Sequence, residues 1–163
     1  AGKTLGLIGF GRIARSLAKK AKVLGMDIIY NDILGEAPGM SDYKYMDKEE
    51  VLKNADFLSL HIPFDKVAGP AIGEKELNMM KDGAYLVNCA RGGVVDEKAL
   101  INALDNGKIA AAGIDVFEKE PSDNSVLINH PKVSVTPHIG ASTKEAQKRI
   151  GAEVVEIIKN FQF

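Results

Sequence analysis

The stretch TLGLIGFGRIA, residues 4–14, decides the fold of this 163-residue chain. Its apolar first half, Thr4–Ile8, predicts a short buried strand. The apolar residues that follow recur at helical spacing and predict a helix that Gly25 ends. These residues are Ile13, Leu17, Ala21 and Leu24. A strand, a glycine-rich turn and a helix in this order are typical of the first unit of a dinucleotide-binding α/β fold.

The glycine-rich turn and the strand after it predict a site for a dinucleotide. Gly9 permits a tight bend, and Gly11 leaves room for a pyrophosphate at the helix N-terminus. Ala14 stands where a third glycine is usual and adds only one methyl group. Asp32 follows a second predicted strand, Asp27–Asn31, about 20 residues on, where a carboxylate accepts hydrogen bonds from the adenosine ribose. Since its charge repels a 2′-phosphate, we expect NAD rather than NADP; the alternative is a tight turn without a ligand.

Strand and helix patterns alternate along the rest of the chain. Further strands are predicted at residues 57–60, 84–88, 109–114 and 133–136. Further helices are predicted from Asp47 with Glu50 as capping partner, over 74–80, from Asp96 to Gly107, and from a Ser142–Glu145 capping box onward. Continuous hydrophobicity in the strands indicates a parallel sheet covered on both faces. We therefore expect an α/β fold, a Rossmann-type doubly wound parallel sheet, as one domain over residues 1–163.

Composition excludes several classes of protein. The chain is 45% hydrophobic, carries a formal net charge of -1 and contains one cysteine, Cys89. The balanced charge predicts no basic surface for nucleic acid or anionic lipid, and no apolar run is long enough to span a membrane. One cysteine excludes an internal disulfide, which suits a reducing cytoplasm, and the His and Cys spacing does not match a zinc site. We therefore expect a cytoplasmic protein with no nucleic-acid, membrane or metal partner.

Three polar side chains after later strands form the predicted catalytic set. Arg91 can hold a carboxylate through two hydrogen bonds, and His138 carries an imidazole that exchanges protons near neutral pH. Glu120 is the candidate partner that orients this imidazole, although Glu118 could take its part or be solvated. Each residue alone is more often structural or solvated. Because the carboxyl ends of parallel strands meet at one edge of a sheet, we expect all three along one crevice.

Three other residues at strand ends are candidates beside the cofactor. Asp115 follows the strand 109–114 and is placed to meet the nicotinamide end. Cys89 has an interpretation as a nucleophile, but we expect a buried and inert thiol. His61 precedes a proline and either lines the adenine pocket or packs against its neighbours.

The chain resembles the D-2-hydroxyacid dehydrogenases over essentially its whole length. Besides the glycine turn and Asp32, the resemblance lies in NCARGGVVDE (residues 88–97), GIDVFEKEP (113–121) and TPHIG (136–140). It implies that Arg91 binds the substrate carboxylate, that His138 is the acid–base and that Glu120 is its partner. It also implies NAD contacts, partly through the backbone, at Arg12, Ile13, Ile62, Cys89, Ala90, Arg91, Asp115, His138, Gly140 and Ala141.

The resemblance also sets expectations about the substrate and the rest of the protein. Residues 137–147 are most similar to members that oxidise 3-phosphoglycerate to 3-phosphohydroxypyruvate, the first step of serine biosynthesis. Glyoxylate, hydroxypyruvate and D-lactate are alternative substrates, and a non-catalytic NAD-sensing corepressor is an alternative function. The family's substrate-binding domain is built from segments before and after this stretch, and neither is present. We therefore expect an isolated nucleotide-binding domain that binds NAD, turns over little substrate and forms a homodimer.

Overall fold

A seven-stranded sheet, parallel at every pairing, forms the centre of the computed structural model, which describes residues 1–161. The last two residues of the expected domain, Gln162 and Phe163, lie outside the described part. The strands are β1 Thr4–Ile8, β2 Asp27–Asn31, β3 Lys44–Tyr45, β4 Phe57–Leu60, β5 Ala84–Asn88, β6 Ile109–Ile114 and β7 Val133–Val135. The helices are α1 Arg12–Val23, α2 Lys48–Asn54, α3 Glu74–Met79, α4 Glu97–Asp105, α5 Ser125–Ile128 and α6 Lys144–Asn160.

The order of the strands, β3-β2-β1-β4-β5-β6-β7, confirms the doubly wound parallel fold. The chain moves outward from β1 to β2 and β3, then returns to the other side of β1 at β4. Two hydrophobic clusters, one containing Leu58 and Leu86 and the other containing Leu7 and Tyr30, form the core. The reversal between β1 and β4 leaves a crevice at the carboxyl ends of these strands, which is where such folds bind ligands.

The strand predictions agree with the structure more closely than the helix predictions do. Five predicted strands coincide with β1, β2, β4, β5 and β6, and the predicted strand at 133–136 is one residue too long. The short elements β3 and α5 were not predicted. Elements of two and four residues contain too few positions to establish a hydrophobic period.

The predicted apolar face of α1 is partly wrong. Ala14, Ala18 and Ala21 are buried, whereas Ile13 is 76% exposed and Leu24 is 71% exposed. Alanines at this spacing occupy the face that lies against the sheet, because small side chains let the helix approach closely. The helix end is as predicted: Gly25 has φ 78°, and its amide nitrogen donates to the Lys22 carbonyl.

Two of the three predicted helix caps need correction. Asp47 precedes α2 but makes no side-chain capping bond, and Glu50 instead accepts a hydrogen bond from Lys53 at 3.0 Å. The last helix is capped by Thr143, whose Oγ1 accepts from the Ala146 amide, rather than by Ser142. Asp96 caps α4 as predicted, through the Ala99 amide. Asp47 thus has the predicted position without the capping bond, and Ser142 is one residue from the cap because Thr143 satisfies the same local pattern.

Helix α6 buries none of its side chains against the rest of the described chain. Its apolar residues Ile150, Val154, Ile157 and Ile158 are all exposed. Within residues 1–161, no helix combines the length and hydropathy needed to cross a bilayer.

Candidate active site

The glycine-rich turn connects β1 to α1 at the crevice. Gly9 has φ 88°, and a Cβ there would lie 2.4 Å from the carbonyl oxygen of His61 on the neighbouring strand end. A side chain at this position would therefore force the two strand ends apart. Gly11 caps α1 and faces open space, because a Cβ added there would meet nothing within 4 Å. Gly9 is therefore packed against the neighbouring strand end, whereas Gly11 borders open space.

A cleft of about 410 Å³ lies at this turn, between the carboxyl ends of β1, β4 and β5. Seven of the predicted cofactor or substrate residues line it together: Gly11, Arg12, Ile13, Ile62, Cys89, Ala90 and Arg91. Ala14, His61 and Pro63 also line it, so His61 belongs to the cleft wall. Burial lowers the pKa of His61, which favours the neutral imidazole. The first turn of α1 directs its amide groups and the positive end of the helix dipole to this cleft.

Asp32 lies at the end of β2 and is fixed beside the glycine turn. Its Oδ2 accepts a hydrogen bond of 2.6 Å from the Phe10 amide, and its Oδ1 accepts one of 2.9 Å from the Leu34 amide. The Phe10 ring stacks on Tyr30 with 3.8 Å between centroids. Asp32 is therefore oriented by the turn itself, and each carboxylate oxygen retains a lone pair for a ribose hydroxyl.

His138 and Glu120 form a hydrogen-bonded pair. The distance between His138 Nδ1 and Glu120 Oε2 is 2.7 Å. Because an ionised carboxylate only accepts hydrogen bonds, Nδ1 carries the proton and Nε2 is left for another partner. The hydrogen bond from His138, with a second from the Phe117 amide to Oε1, lowers the pKa of Glu120. The pair lines a second cavity of about 540 Å³, whose wall includes Phe117, Pro121 and Pro137.

Glu118 was an alternative partner for the imidazole, and its carboxylate lies elsewhere. Its Oε1 accepts a hydrogen bond of 3.3 Å from the Glu97 amide at the start of α4. Glu120 is therefore the carboxylate that meets His138, and Glu118 caps a helix.

Asp115 holds the loop that carries His138. It is 4% exposed, and Oδ1 accepts from the Thr136 hydroxyl at 2.5 Å and from the Ile139 amide at 2.9 Å. Oδ2 accepts from the Gly140 amide at 3.1 Å. Burial disfavours the charged form, but these hydrogen bonds outweigh it and lower the pKa of Asp115. They bracket His138, whose φ of 54° is in the left-handed region that non-glycine residues rarely adopt.

Arg91 and Cys89 lie on the turn between β5 and α4. The side chain of Asn88 shapes this turn, accepting from the Ala90 amide and donating to the Arg91 carbonyl, both at 3.1 Å. The Arg91 guanidinium is exposed, and its Nη1 donates to the Ala90 carbonyl at 2.6 Å. Cys89 is exposed in the cleft, so the expectation of a buried thiol is wrong. The surrounding atoms nevertheless remove part of the hydration of the thiol, and this desolvation, with the nearby charge of Asp115, raises the pKa of Cys89 and disfavours the reactive thiolate.

The remaining predicted positions lie on the loop after β7. Gly140 contacts Asp115, and the Ala141 carbonyl accepts a hydrogen bond of 2.9 Å from Gln147 on α6. The predicted site residues thus lie at the carboxyl edge of the sheet. Thr136 was missed as the partner of Asp115, although its place beside Pro137 and His138 was a signal. Glu97 was also missed as the partner of Glu118, although it is the last residue of the matching stretch 88–97.

A model of a known protein family matches most of the chain. Residues 1–140 match the model described as D-isomer specific 2-hydroxyacid dehydrogenase, NAD binding domain. The chain belongs to this family. Its cofactor is NAD.

Individual members of the D-2-hydroxyacid dehydrogenase family resemble the chain closely. A glyoxylate reductase of Thermococcus litoralis is 51% identical over 156 residues, which cover 94% of this chain and 47% of the relative. A D-3-phosphoglycerate dehydrogenase of Methanocaldococcus jannaschii is 48% identical, over 97% of this chain and 31% of the relative. The NAD-complexed crystal structure of a Lactobacillus delbrueckii D-isomer specific 2-hydroxyacid dehydrogenase superposes with a TM-score of 0.86 at 34% identity, covering 99% of this chain and 55% of the other. The chain thus spans about half or less of these relatives' lengths.

The residues present fit NAD. Gly11 leaves space at the N-terminus of α1, where a Cβ would meet nothing within 4 Å, and the cleft beside it is lined mostly by small or apolar residues. Arg12 lies in the same wall and supplies a positive charge. The carboxylate of Asp32 lies at the neighbouring strand end. Together these groups match the pyrophosphate and the adenosine ribose of a dinucleotide.

Proposed function

We propose that this chain is the cofactor-binding part of an NAD-dependent oxidoreductase that acts on the CH–OH group of a D-2-hydroxy acid. The observation that carries the proposal is the His138–Glu120 pair, with 2.7 Å between Nδ1 and Oε2. This pair lies at the same edge of the sheet as the dinucleotide cleft. An imidazole oriented by a carboxylate beside a redox cofactor is suited to remove the proton of an alcohol as it is oxidised.

In this proposal each of three side chains has one task. His138 takes the hydroxyl proton at Nε2, the nitrogen that the carboxylate leaves free. Glu120 holds the ring orientation through Nδ1 and stabilises the positive charge that the ring acquires. Arg91 binds the substrate carboxylate and so orients the reacting carbon. When bound, NAD supplies the two-electron redox chemistry, and the protein supplies position and charge.

Among substrates we propose 3-phosphoglycerate first, as in the first step of serine biosynthesis. The support is the likeness of residues 137–147 to members with that substrate, together with the relative named D-3-phosphoglycerate dehydrogenase. Glyoxylate, hydroxypyruvate and D-lactate are the alternatives, and glyoxylate is supported by another close relative, which is named glyoxylate reductase. Arg91 binds the carboxylate that all these substrates share, so it does not separate them. A panel of the reduced and oxidised acids, assayed on a protein that also carries a substrate-binding domain, decides between them.

The cofactor part of the proposal is tested on this chain alone. NADH is titrated with the wild-type chain, with Asp32→Ala and with Asp82→Ala while its fluorescence is followed, and NADPH is titrated in parallel. We expect saturable NADH binding that Asp32→Ala weakens at least about tenfold, because the ribose hydroxyls lose a charged acceptor. Asp82→Ala is the control and should leave binding within about threefold, since Asp82 is 91% exposed at the amino end of β5, away from the cleft. Equal affinity for NADH and NADPH would refute the assigned role of Asp32.

The oxidoreductase part is tested by kinetics. In a protein that also carries a substrate-binding domain, His138→Gln should lower kcat by about 10² or more while KM changes little. Glu120→Gln should lower kcat less and move the acidic limb of the pH profile. Unchanged kcat in His138→Gln would refute the acid–base role. Absence of turnover by the wild-type protein on every acid of the panel would favour the non-catalytic NAD-sensing alternative.

We also propose that the protein is a cytoplasmic homodimer. The exposed apolar side chains of α6 support an association, since a contiguous exposed apolar surface commonly marks an interface. Sedimentation equilibrium of the purified chain tests the dimer, and a monomer at all concentrations would argue against it.

A further inference from the structure

Two loops that carry the proposed catalytic groups meet at the beginning of α4. One loop carries Arg91, and the other carries Glu120. The residues Glu97, at the first position of α4, and Glu118 exchange hydrogen bonds across 21 positions of sequence. Glu97 Oε1 accepts from the Glu118 amide at 2.9 Å, and Glu118 Oε1 accepts from the Glu97 amide at 3.3 Å.

The second carboxylate oxygen of Glu97 reaches the far end of the same loop. Its Oε2 accepts a hydrogen bond of 2.6 Å from Nδ2 of Asn124. The Asn124 side chain cannot rotate away without loss, because its Oδ1 accepts from the Leu127 amide and caps α5. One carboxylate therefore holds both ends of the segment 118–124, and Glu120 lies between these ends.

Backbone packing holds the two loops at a fixed distance. A Cβ at Gly92 would lie 1.7 Å from the Phe117 carbonyl oxygen, so the turn after Arg91 lies directly against the backbone of the second loop. The Phe117 amide in turn donates to Glu120 Oε1 at 3.2 Å. The backbone contact at Gly92 therefore holds Phe117, the residue just before the segment 118–124, and the hydrogen bonds of Glu97 hold the segment itself.

We propose that Glu97 is a positioning residue that fixes Glu120 against His138 by holding both ends of the segment 118–124. The inference rests on the proposed function, because it assigns Glu97 a role only through the His138–Glu120 pair. Within residues 1–161, none of the hydrogen bonds of Glu97 involves His138 or a residue that lines the 410 Å³ cleft. Loss of its carboxylate removes one hydrogen bond at each end of the segment, and Glu120 then spends less time in contact with the imidazole.

The experiment follows the Glu120 carboxyl carbon by NMR as the pH is changed, with Glu120→Gln to assign the signal. In the wild-type chain the hydrogen bond from His138 keeps the pKa of Glu120 below its ordinary value. His138→Gln provides the value without the imidazole. In Glu97→Ala we expect the titration midpoint of Glu120 to rise by at least half of the difference between its wild-type and His138→Gln values. NADH affinity should change less than about threefold.

Two other variants separate positioning from general stability. Glu97→Gln keeps one oxygen for the Glu118 amide but presents an NH₂ group to the Asn124 NH₂ group, so we expect a smaller shift in the same direction. Lys98→Ala, at the exposed neighbouring position, is the control and should leave the Glu120 midpoint unchanged. Thermal unfolding is measured for every variant.

The outcomes distinguish the two proposals. If the wild-type and His138→Gln chains give the same Glu120 midpoint, the His138–Glu120 pair fails, and the proposed acid–base function fails with it. If those two differ but both Glu97 variants match the wild type, the pair stands and the role of Glu97 is refuted. A lowered unfolding temperature with an unchanged Glu120 midpoint also refutes it, because Glu97 then only stabilises α4.

Discussion

Replacement of Asp115 by alanine tests how the His138 loop is held. The carboxylate accepts three hydrogen bonds, from the Thr136 hydroxyl and from the Ile139 and Gly140 amides. Each hydrogen bond to a charged group contributes about 1.5–3 kcal/mol, or about 4.5 kcal/mol for three at the lower end of that range. Relief of the cost of burying the carboxylate offsets part of this. We expect a net loss of about 3 kcal/mol in the free energy of unfolding.

Thermal unfolding followed by circular dichroism measures this loss. For a domain of this size, about 3 kcal/mol lowers the midpoint by about 6–12 °C. The matched control is Asp82→Ala, which removes an aspartate that is paired with Lys108 but 91% exposed. A surface ion pair contributes little, so the control midpoint should fall by less than about 2 °C.

The same variant should also loosen His138. Its φ of 54° is costly for a non-glycine residue and persists only where surrounding bonds impose it. Without the acceptors of Asp115, we expect the loop to relax and the imidazole to lose its contact with Glu120. A midpoint for Asp115→Ala no lower than that of Asp82→Ala would refute this account of the loop, as would an undisturbed His138 signal in NMR spectra.

Three further predictions concern the glycine-rich turn, Asp56 at the amino end of β4, and Cys89 in the cleft. Gly9→Ala should unfold the chain or lower its midpoint sharply, since its Cβ would lie 2.4 Å from the His61 carbonyl oxygen, whereas Gly11→Ala should keep the midpoint and lose NADH affinity. Equal effects of the two on stability would contradict this. The hydrogen bond from the Thr4 amide and, to a smaller extent, the pairing with Lys81 lower the pKa of Asp56. The ionised carboxylate of Asp56 therefore stabilises the folded chain fully above the ordinary aspartate pKa, and this stabilisation is lost as the pH falls through the lowered value. Urea unfolding from pH 2 to 7 should show that loss, reduced in Asp56→Asn. Because the pKa of Cys89 is raised, its thiol should react slowly with a thiol reagent at pH 7. Bound NADH should slow this reaction further, since Cys89 lines the cleft. A reaction rate that NADH does not change would mean that the cofactor binds elsewhere.

Local patterns were sufficient for most of the fold and for part of the site. The bounds of β1, β2 and β6, the positive φ of Gly25 and the Asp96 cap follow from periodicities and capping preferences that span only a few residues. The strand-end positions of Arg91, Glu120 and His138 could also be predicted, because parallel strands bring their carboxyl ends to one edge of a sheet. The resemblance to a family supplied the roles that these positions alone do not specify.

What the sequence by itself determined is therefore the order of the elements, the parallel sheet and the edge at which the polar residues gather. Only the tertiary structure decided that Glu120 rather than Glu118 meets His138, that Asp115 fills its oxygens with the 136–140 loop, and that Glu97 reaches Asn124. The hydrogen bonds of Asp115 and Glu97 join residues more than 20 positions apart, and their geometry depends on how two loops pack. A local pattern records which residues are polar, but the choice of partner depends on which donor remains unsatisfied once the chain is folded.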